Sequence, residues 1–318
     1  MSRRDRYAGA ACALLAALGF AGKAIFIRLA YAKSPLDAIT LLALRMVFSF
    51  PLFAFMSWRA RQSVLPPKRV PGDAARMAGL AFLGYYFSTF LDFWGLEYLT
   101  AALERVLLFT YPVWVLVLSS VFQGKPAGRR DAAAVVLSIG GIAICFWSDL
   151  RFSGTSASLW KGAALILSAS ITYSVYLLVS RDIVVRLGSL RFAGDVALMA
   201  AGFVLAHFFA THPAEALLQK GEIYWLVLWL ALLSTALPIY LLVEALRRVG
   251  PGTVSVVSSV GPILTILLGA VFLDEPLTAA LFVGAALVLA GVILITGAPA
   301  TSAPESPNGA GQRVLPLG

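Results

Sequence analysis

Six ionisable side chains stand inside long apolar runs of this sequence: Lys23, Arg45, Asp92, Glu104, Arg105 and Glu244. A charge at the centre of a bilayer costs about 2.5–3.5 kcal/mol on insertion scales, so such groups face a protein interior, pair, or extend to the interface. Two chemistries are open to them. In one, Lys23 and Arg45 snorkel outward or neutralise Asp92 and Glu104 in an internal salt-bridge network, with Arg28 and Glu97 as further structural members. In the other, Lys23, Arg45 and Arg105 outnumber the carboxylates at depth and leave a positive site suited to a carboxylate or another anionic group. Glu104 and Arg105 are neighbours and point about 100° apart on a helix, so one can line a path while the other braces a neighbouring helix. Glu244, with Arg247 and Arg248 three and four residues on, reads as a local ion pair at a helix end.

Tyrosines within the same runs (Tyr85, Tyr86, Tyr111, Tyr173, Tyr176 and Tyr240) need a hydrogen-bond partner or water, so some should line a cavity. Tyr111 precedes Pro112, where a proline leaves backbone carbonyls free. The binding residues expected are therefore Lys23, Arg45, Tyr111 and Tyr176, with Glu104 and Arg105 beside them. Catalytic chemistry is not expected. His207 and His212 are isolated, the former expected to have a local partner; Asp195 lacks the rest of an intramembrane protease motif; no phosphate-binding GK[ST] loop occurs. Cys12 and Cys145 make neither a metal spacing nor a disulfide framework, so no metal, cofactor or enzyme activity is expected.

The elements that must hold these residues are membrane helices. The chain is 60% hydrophobic and 13% charged, with a mean hydropathy of +0.86, which excludes an ordinary soluble domain. Its net charge of +9 sits in short clusters between apolar runs, the pattern of orienting loops and not of a nucleic-acid surface. Ten runs are long enough to cross a bilayer: 8–31, 36–57, 74–96, 100–122, 131–149, 160–181, 191–211, 222–246, 252–273 and 278–297. The first follows Arg3, Arg4 and Arg6 but lacks a cleavage site, and is retained as a span. Basic loops (Arg59, Arg61, Lys68, Arg69 and Arg76; Lys125, Arg129 and Arg130; Arg181, Arg186 and Arg191; Arg247 and Arg248) alternate with poor ones. That alternation puts both termini in the cytoplasm of a multi-pass inner-membrane protein. The tail 298–318 is polar and small and is expected to be disordered.

The chain also repeats itself. Residues 99–126 and 249–276 match at one offset: Pro112 with Pro262, Phe122 with Phe272 and Pro126 with Pro276 each stand 150 apart. An offset of 153 pairs Arg28 with Arg181 and Lys23 with Tyr176. Five spans per half, an odd number, make the second half enter the bilayer from the opposite face. The expected fold is thus an all-α membrane protein of ten transmembrane helices in two inverted five-helix repeats, 1–150 and 151–297. Pro112 and Pro262 are expected to kink their helices at matched depth. Gly140, Gly141, Gly284 and Gly291 permit close helix contact, and would allow a homodimer through spans five and ten.

The segment Lys23–Tyr31, Ala43-Leu44-Arg45-Met46, the run from Leu103-Glu104-Arg105 to Tyr111-Pro112, and Asp274-Glu275-Pro276 resemble EamA-type permeases of the drug/metabolite transporter superfamily over residues 7–297. The resemblance implies a ten-helix inner-membrane carrier of amino acids, other small metabolites or toxic compounds, working by alternating access with export the expected direction. Its partners would be a small-molecule substrate and the lipid bilayer. Two substrate readings stay open: carboxylate-bearing solutes, amino acids first, or neutral and cationic toxic compounds with the basic residues purely structural. The halves differ where Lys125 stands opposite Glu275, and Val254-Ser255 opposite Glu104-Arg105.

Overall fold

Apolar runs in lipid leave a backbone no water to bond, and a helix satisfies its N–H and C=O groups within one segment. The computed structural model of the chain describes residues 3–62, 70, 72–124, 128–151 and 156–296, and they are helical with short connections. Lys68, Arg69, Lys125, Pro126, the side chains of Arg3, Arg4, Arg6 and Ser255, and the tail 298–318 lie outside the described residues. The helices are α1 (Arg3–Lys33), α2 (Ala38–Gln62), α3 (Asp73–Leu80), α4 (Ser88–Gly95), α5 (Ala101–Leu108), α6 (Tyr111–Gln123) and α7 (Arg129–Leu150). They continue as α8 (Ser156–Leu187), α9 (Ser189–Thr211), α10 (Gly221–Ala231), α11 (Leu237–Ser258), α12 (Gly261–Leu273) and α13 (Ala279–Thr296). Seven described segments are long and apolar enough to cross a membrane, among them Tyr7–Lys33, Ala38–Gln62 and Ala101–Phe122; Gly261–Leu273 and Ala279–Ile295 are shorter apolar helices.

The prolines expected to bend helices start new ones instead. The chain turns at Phe109–Thr110 and again just before Gly261, and Pro112 and Pro262 each stand second in a thirteen-residue helix. A first-turn position needs no N–H, which is why proline is tolerated there. Both helices end on a left-handed residue, Gly124 (φ 64°) and Asp274 (φ 53°), again 150 apart.

Two widened π turns were not expected. One, Ala81–Phe87, joins α3 to α4; the other, Leu232–Ala236, joins α10 to α11. The second has a cause in the sequence. Pro238 lacks the N–H that would bond the Ser234 carbonyl and its ring would crowd that oxygen, so the preceding turn opens. The first contains no proline; Gly84 sits at its middle. Past the second, α11 breaks once more at Gly250 (φ 73°).

Polar ties close both ends of the bundle. At one end Arg186 clasps Asp73 through two bonds of 2.7 and 2.9 Å, and its guanidinium holds the Asp73 carboxyl below the usual carboxylate range. There too Asp195 accepts from Ser57 and, at 2.9 Å, from Arg61, while Glu244 accepts from Arg247 and Arg248 at 2.6–2.9 Å. At the opposite end Lys33 pairs with Glu222 at 2.8 Å and Glu97 accepts from the Ala38 N–H at 3.0 Å. Beside them Glu275 caps α5, taking the Ala101 and Ala102 N–H groups at 2.7 and 3.2 Å. The first N–H groups of a helix have no intrahelical acceptor, so a carboxylate there is favoured by both hydrogen bonding and the helix dipole. Glu275 therefore meets the α5–α6 unit at the end away from Gly124.

Helices α7 and α13 touch along their length through glycine. A Cβ on Gly141 would come within 2.5 Å of the Gly284 carbonyl, and one on Gly291 within 2.4 Å of Ser138 Oγ. These three glycines are thus occupied by contact within the chain, whereas a Cβ on Gly140 would meet nothing within 4 Å.

Candidate functional site

Four of the charged residues singled out by the sequence meet at one place. Lys23 on α1 reaches Asp92 on α4 at 2.5 Å and Glu104 on α5 at 3.2 Å. Both acids are buried, four residues from where α4 ends and four into α5, so about 6 Å from the helix ends. Arg105 lies 3.9 Å from Glu104 Oε2, but its N–H groups go elsewhere: Nε to Thr265 Oγ1 on α12 at 3.1 Å, and another to the Phe20 carbonyl on α1. Glu104 thus faces the cluster while Arg105 braces two neighbouring helices. Arg28 bonds the Leu96 carbonyl at 3.3 Å, a structural tie like that of Glu97.

Arg45 reaches across to the second half of the chain. It is buried and bonds neither Asp92 nor Glu104, though Asp92 is within electrostatic reach. Its Nε donates to Thr235 Oγ1 in the second π turn at 3.0 Å, and its guanidinium lies 5.4 Å from the centre of the Phe93 ring. Arg45 is 8% exposed and its Nη1 is buried with no hydrogen-bond partner among the described residues. The reason is geometric: the widened turn puts Thr235 where the guanidinium can reach it, and Thr235 itself donates back to the Leu230 carbonyl at 3.0 Å.

Tyr111 and Tyr176 belong to a ladder of rings. Tyr111 meets Tyr173 edge-on at 5.4 Å, Tyr173 stacks on Tyr176 at 5.6 Å, and Tyr176 meets Tyr85 edge-on at 5.9 Å. Tyr85 is seven residues before Asp92, and Tyr111 seven after Glu104, so the ladder lies about 10 Å deeper than the ionic cluster. None of the four hydroxyls has a hydrogen-bond partner among the described residues. Tyr85 is within electrostatic reach of Arg45.

Sequence reasoning missed Thr235, Thr265 and Tyr173 as partners, and it expected a local partner for His207. The His207 Nδ1 instead shares a 2.9 Å hydrogen bond with Tyr86 of the first π turn, 121 residues away. A small polar residue 150 positions after a tyrosine (Thr235 after Tyr85) was the available signal for the second turn. Among the described residues no three His, Cys, Asp or Glu side chains gather as metal ligands.

The description "EamA-like transporter family" fits this chain twice, over residues 7–147 and 160–297. The chain belongs to the EamA-like transporter family. The uncharacterized transporter YcbK of Bacillus subtilis is 30% identical over 283 residues, covering 86% of this chain and 88% of its own. An uncharacterized protein of Pseudomonas aeruginosa is 29% identical over 89% of this chain and 92% of its own. A relative from Streptantibioticus cattleyicolor described as a probable terminal-alkyne amino-acid exporter is 26% identical over 64% of this chain and 66% of its own. A solved crystal structure superposes with a TM-score of 0.62 at 16% identity, over 91% of this chain and 96% of that one, a likeness of fold. This EamA-like protein is a multi-pass membrane transporter, a class distinct from enzymes.

Proposed function

We propose that the protein is a secondary transporter of the inner membrane that moves carboxylate-bearing small metabolites, amino acids first, outward by alternating access. Under this reading both termini are cytoplasmic, and the chain is ten spans in two inverted five-helix repeats, 1–150 and 151–297. The observation that carries it is the matched interruption of both halves. Widened turns at Ala81–Phe87 and Leu232–Ala236, and helices restarted at Pro112 and Pro262, recur at the same spacing around one buried set of polar groups. Broken helices around a central site are what a rocking carrier needs, because they free backbone and side-chain groups for substrate and give one repeat a hinge against the other. Substrate would meet Arg45, Tyr111 and Tyr176, with Lys23, Glu104 and Arg105 forming the wall toward one end. The relative described as an amino-acid exporter supports the substrate class. A homodimer through spans five and ten would use the face carrying Gly140, since the other glycines are occupied within the chain.

A second reading has an observation of its own. Lys23 and Arg105 are engaged by protein groups, as they would be if the basic residues were structural and the cargo neutral or cationic. Uptake of labelled amino acids into vesicles carrying wild type, Arg45→Gln or Lys23→Ala separates the two. Uptake by wild type that falls at least tenfold in Arg45→Gln supports the carboxylate reading. Absence of amino-acid uptake by wild type, with transport of a lipophilic cation, supports the other.

A further inference from the structure

Two buried carboxylates share one ammonium. Lys23 Nζ lies 2.5 Å from Asp92 Oδ2 and 3.2 Å from Glu104 Oε1, and the two acid side chains are 5% and 0% exposed. The remaining oxygens, Asp92 Oδ1 and Glu104 Oε2, are buried with no hydrogen-bond donor among the described residues. Sharing one ammonium places the two carboxyl groups side by side. Ionised carboxylates only accept, so two of them cannot bond to one another; a single proton turns the contact into O–H···O and supplies the missing donor. Like charges this close resist ionising together.

Two further cations attract the pair without donating a hydrogen bond to it among the described residues. Lys23 and Tyr31 face it from α1, Arg45 from α2 and Arg105 from α5, while α12 presents the neutral Thr265. Tyr31 donates to the Phe93 carbonyl at 2.9 Å and Arg45 to Thr235 at 3.0 Å. Arg105 is held at 3.9 Å from Glu104 by its bonds to Thr265 and Phe20. With both acids ionised, Lys23, Asp92 and Glu104 together carry one negative charge, and the nearest further cation, Arg105, gives its N–H groups to Thr265 and Phe20 instead.

We propose that Asp92 and Glu104 form a binding site for one exchangeable proton, held between the two carboxyls and balanced by Lys23. The proton comes from water and adds to a carboxylate oxygen, leaving a neutral carboxyl; on release it returns to water, and no other bond changes. Lys23, 14% exposed at its side chain, is the member that meets solvent-accessible space. The purpose of the proton rests on the carrier reading. The three residues belong to α1, α4 and α5, so gaining or losing the proton alters how tightly α1 is tied to the other two. That links proton binding to helix movement.

Infrared titration of the purified full-length protein in phosphatidylethanolamine/phosphatidylglycerol vesicles, in H2O and D2O, tests the site. Wild type should show a protonated-carboxyl carbonyl band that shifts in D2O and titrates as one proton per chain. Asp92→Asn and Glu104→Gln, both near-isosteric, should each lose it, and Lys23→Arg should keep it with a displaced midpoint. A wild-type protein without such a band, or a band that survives in both acid variants, overturns the proposal; if one variant does not fold, the other decides. The carrier reading fails separately. A protein that binds the proton but moves no amino acid keeps the site and loses that reading, and one that moves amino acids with no titrating band does the reverse.

Discussion

Tyr176 packs directly on Gly84: a Cβ at residue 84 would come within 2.2 Å of Tyr176 Cγ. The absence of a side chain in the first π turn is what lets the tyrosine ladder reach Tyr85. Gly84→Ala should therefore destabilise the protein by about 1–3 kcal/mol through overpacking. Thermal unfolding of the variant checks this, and adding Tyr176→Ala should restore part of the loss.

Removing the Lys23 ammonium leaves two buried carboxylates without their cation. Lys23→Ala is expected to lose about 3–5 kcal/mol, as for breaking a buried ion pair from one side. Lys23→Ala combined with Glu104→Gln should unfold at a higher temperature than Lys23→Ala alone. For the same reason Arg45, which makes no salt bridge among the described residues, is the cleaner probe of transport.

Glu275→Ala should cost about 0.5–2 kcal/mol by uncapping α5. Glu275→Gln retains an acceptor and should cost less. Hydrogen exchange at the Ala101 and Ala102 amides, faster in both variants and fastest in Ala, reads the effect at its source.

Asp73, whose pKa is depressed by Arg186, gives a stability term with a defined pH direction. A lowered folded-state pKa favours the fold above the unfolded value of about 3.9, and that increment disappears as pH falls through the folded-state value. The unfolding midpoints of wild type and Asp73→Asn should differ most at neutral pH and converge below about pH 4.

Gly141→Leu should lower the unfolding temperature, because the Gly284 backbone occupies the space above residue 141. Gly140→Leu should leave it unchanged. A fall in the mass of the detergent-solubilised particle in Gly140→Leu alone would mark that face as a contact between copies.

Much of the helical layout was legible because hydropathy and the basic loops mark where helices run, and prolines mark where they restart. Pro112 and Pro262 announced breaks, although they open helices and do not bend them. Pro238 could have announced the second π turn; the first, around Gly84, has no local marker because its cause is the ring packed on it. Charge content named Asp92 and Glu104 as partners for Lys23, but not Thr235 as the partner of Arg45. Lys23, Asp92 and Glu104 meet across 69 and 81 residues, and Arg45 reaches Thr235 across 190. Such pairings depend on helix rotation and turn width, which hydropathy does not encode.

The Glu275 cap also sets an order of assembly. The amides it receives belong to residues synthesised 173 and 174 positions earlier. Until the penultimate hydrophobic segment has left the ribosome the Ala101 and Ala102 N–H groups lack this acceptor, while Thr100 Oγ1 already takes that of Leu103. A nascent chain stopped before Glu275 thus holds every member of the ionic cluster yet lacks the group that anchors two of them.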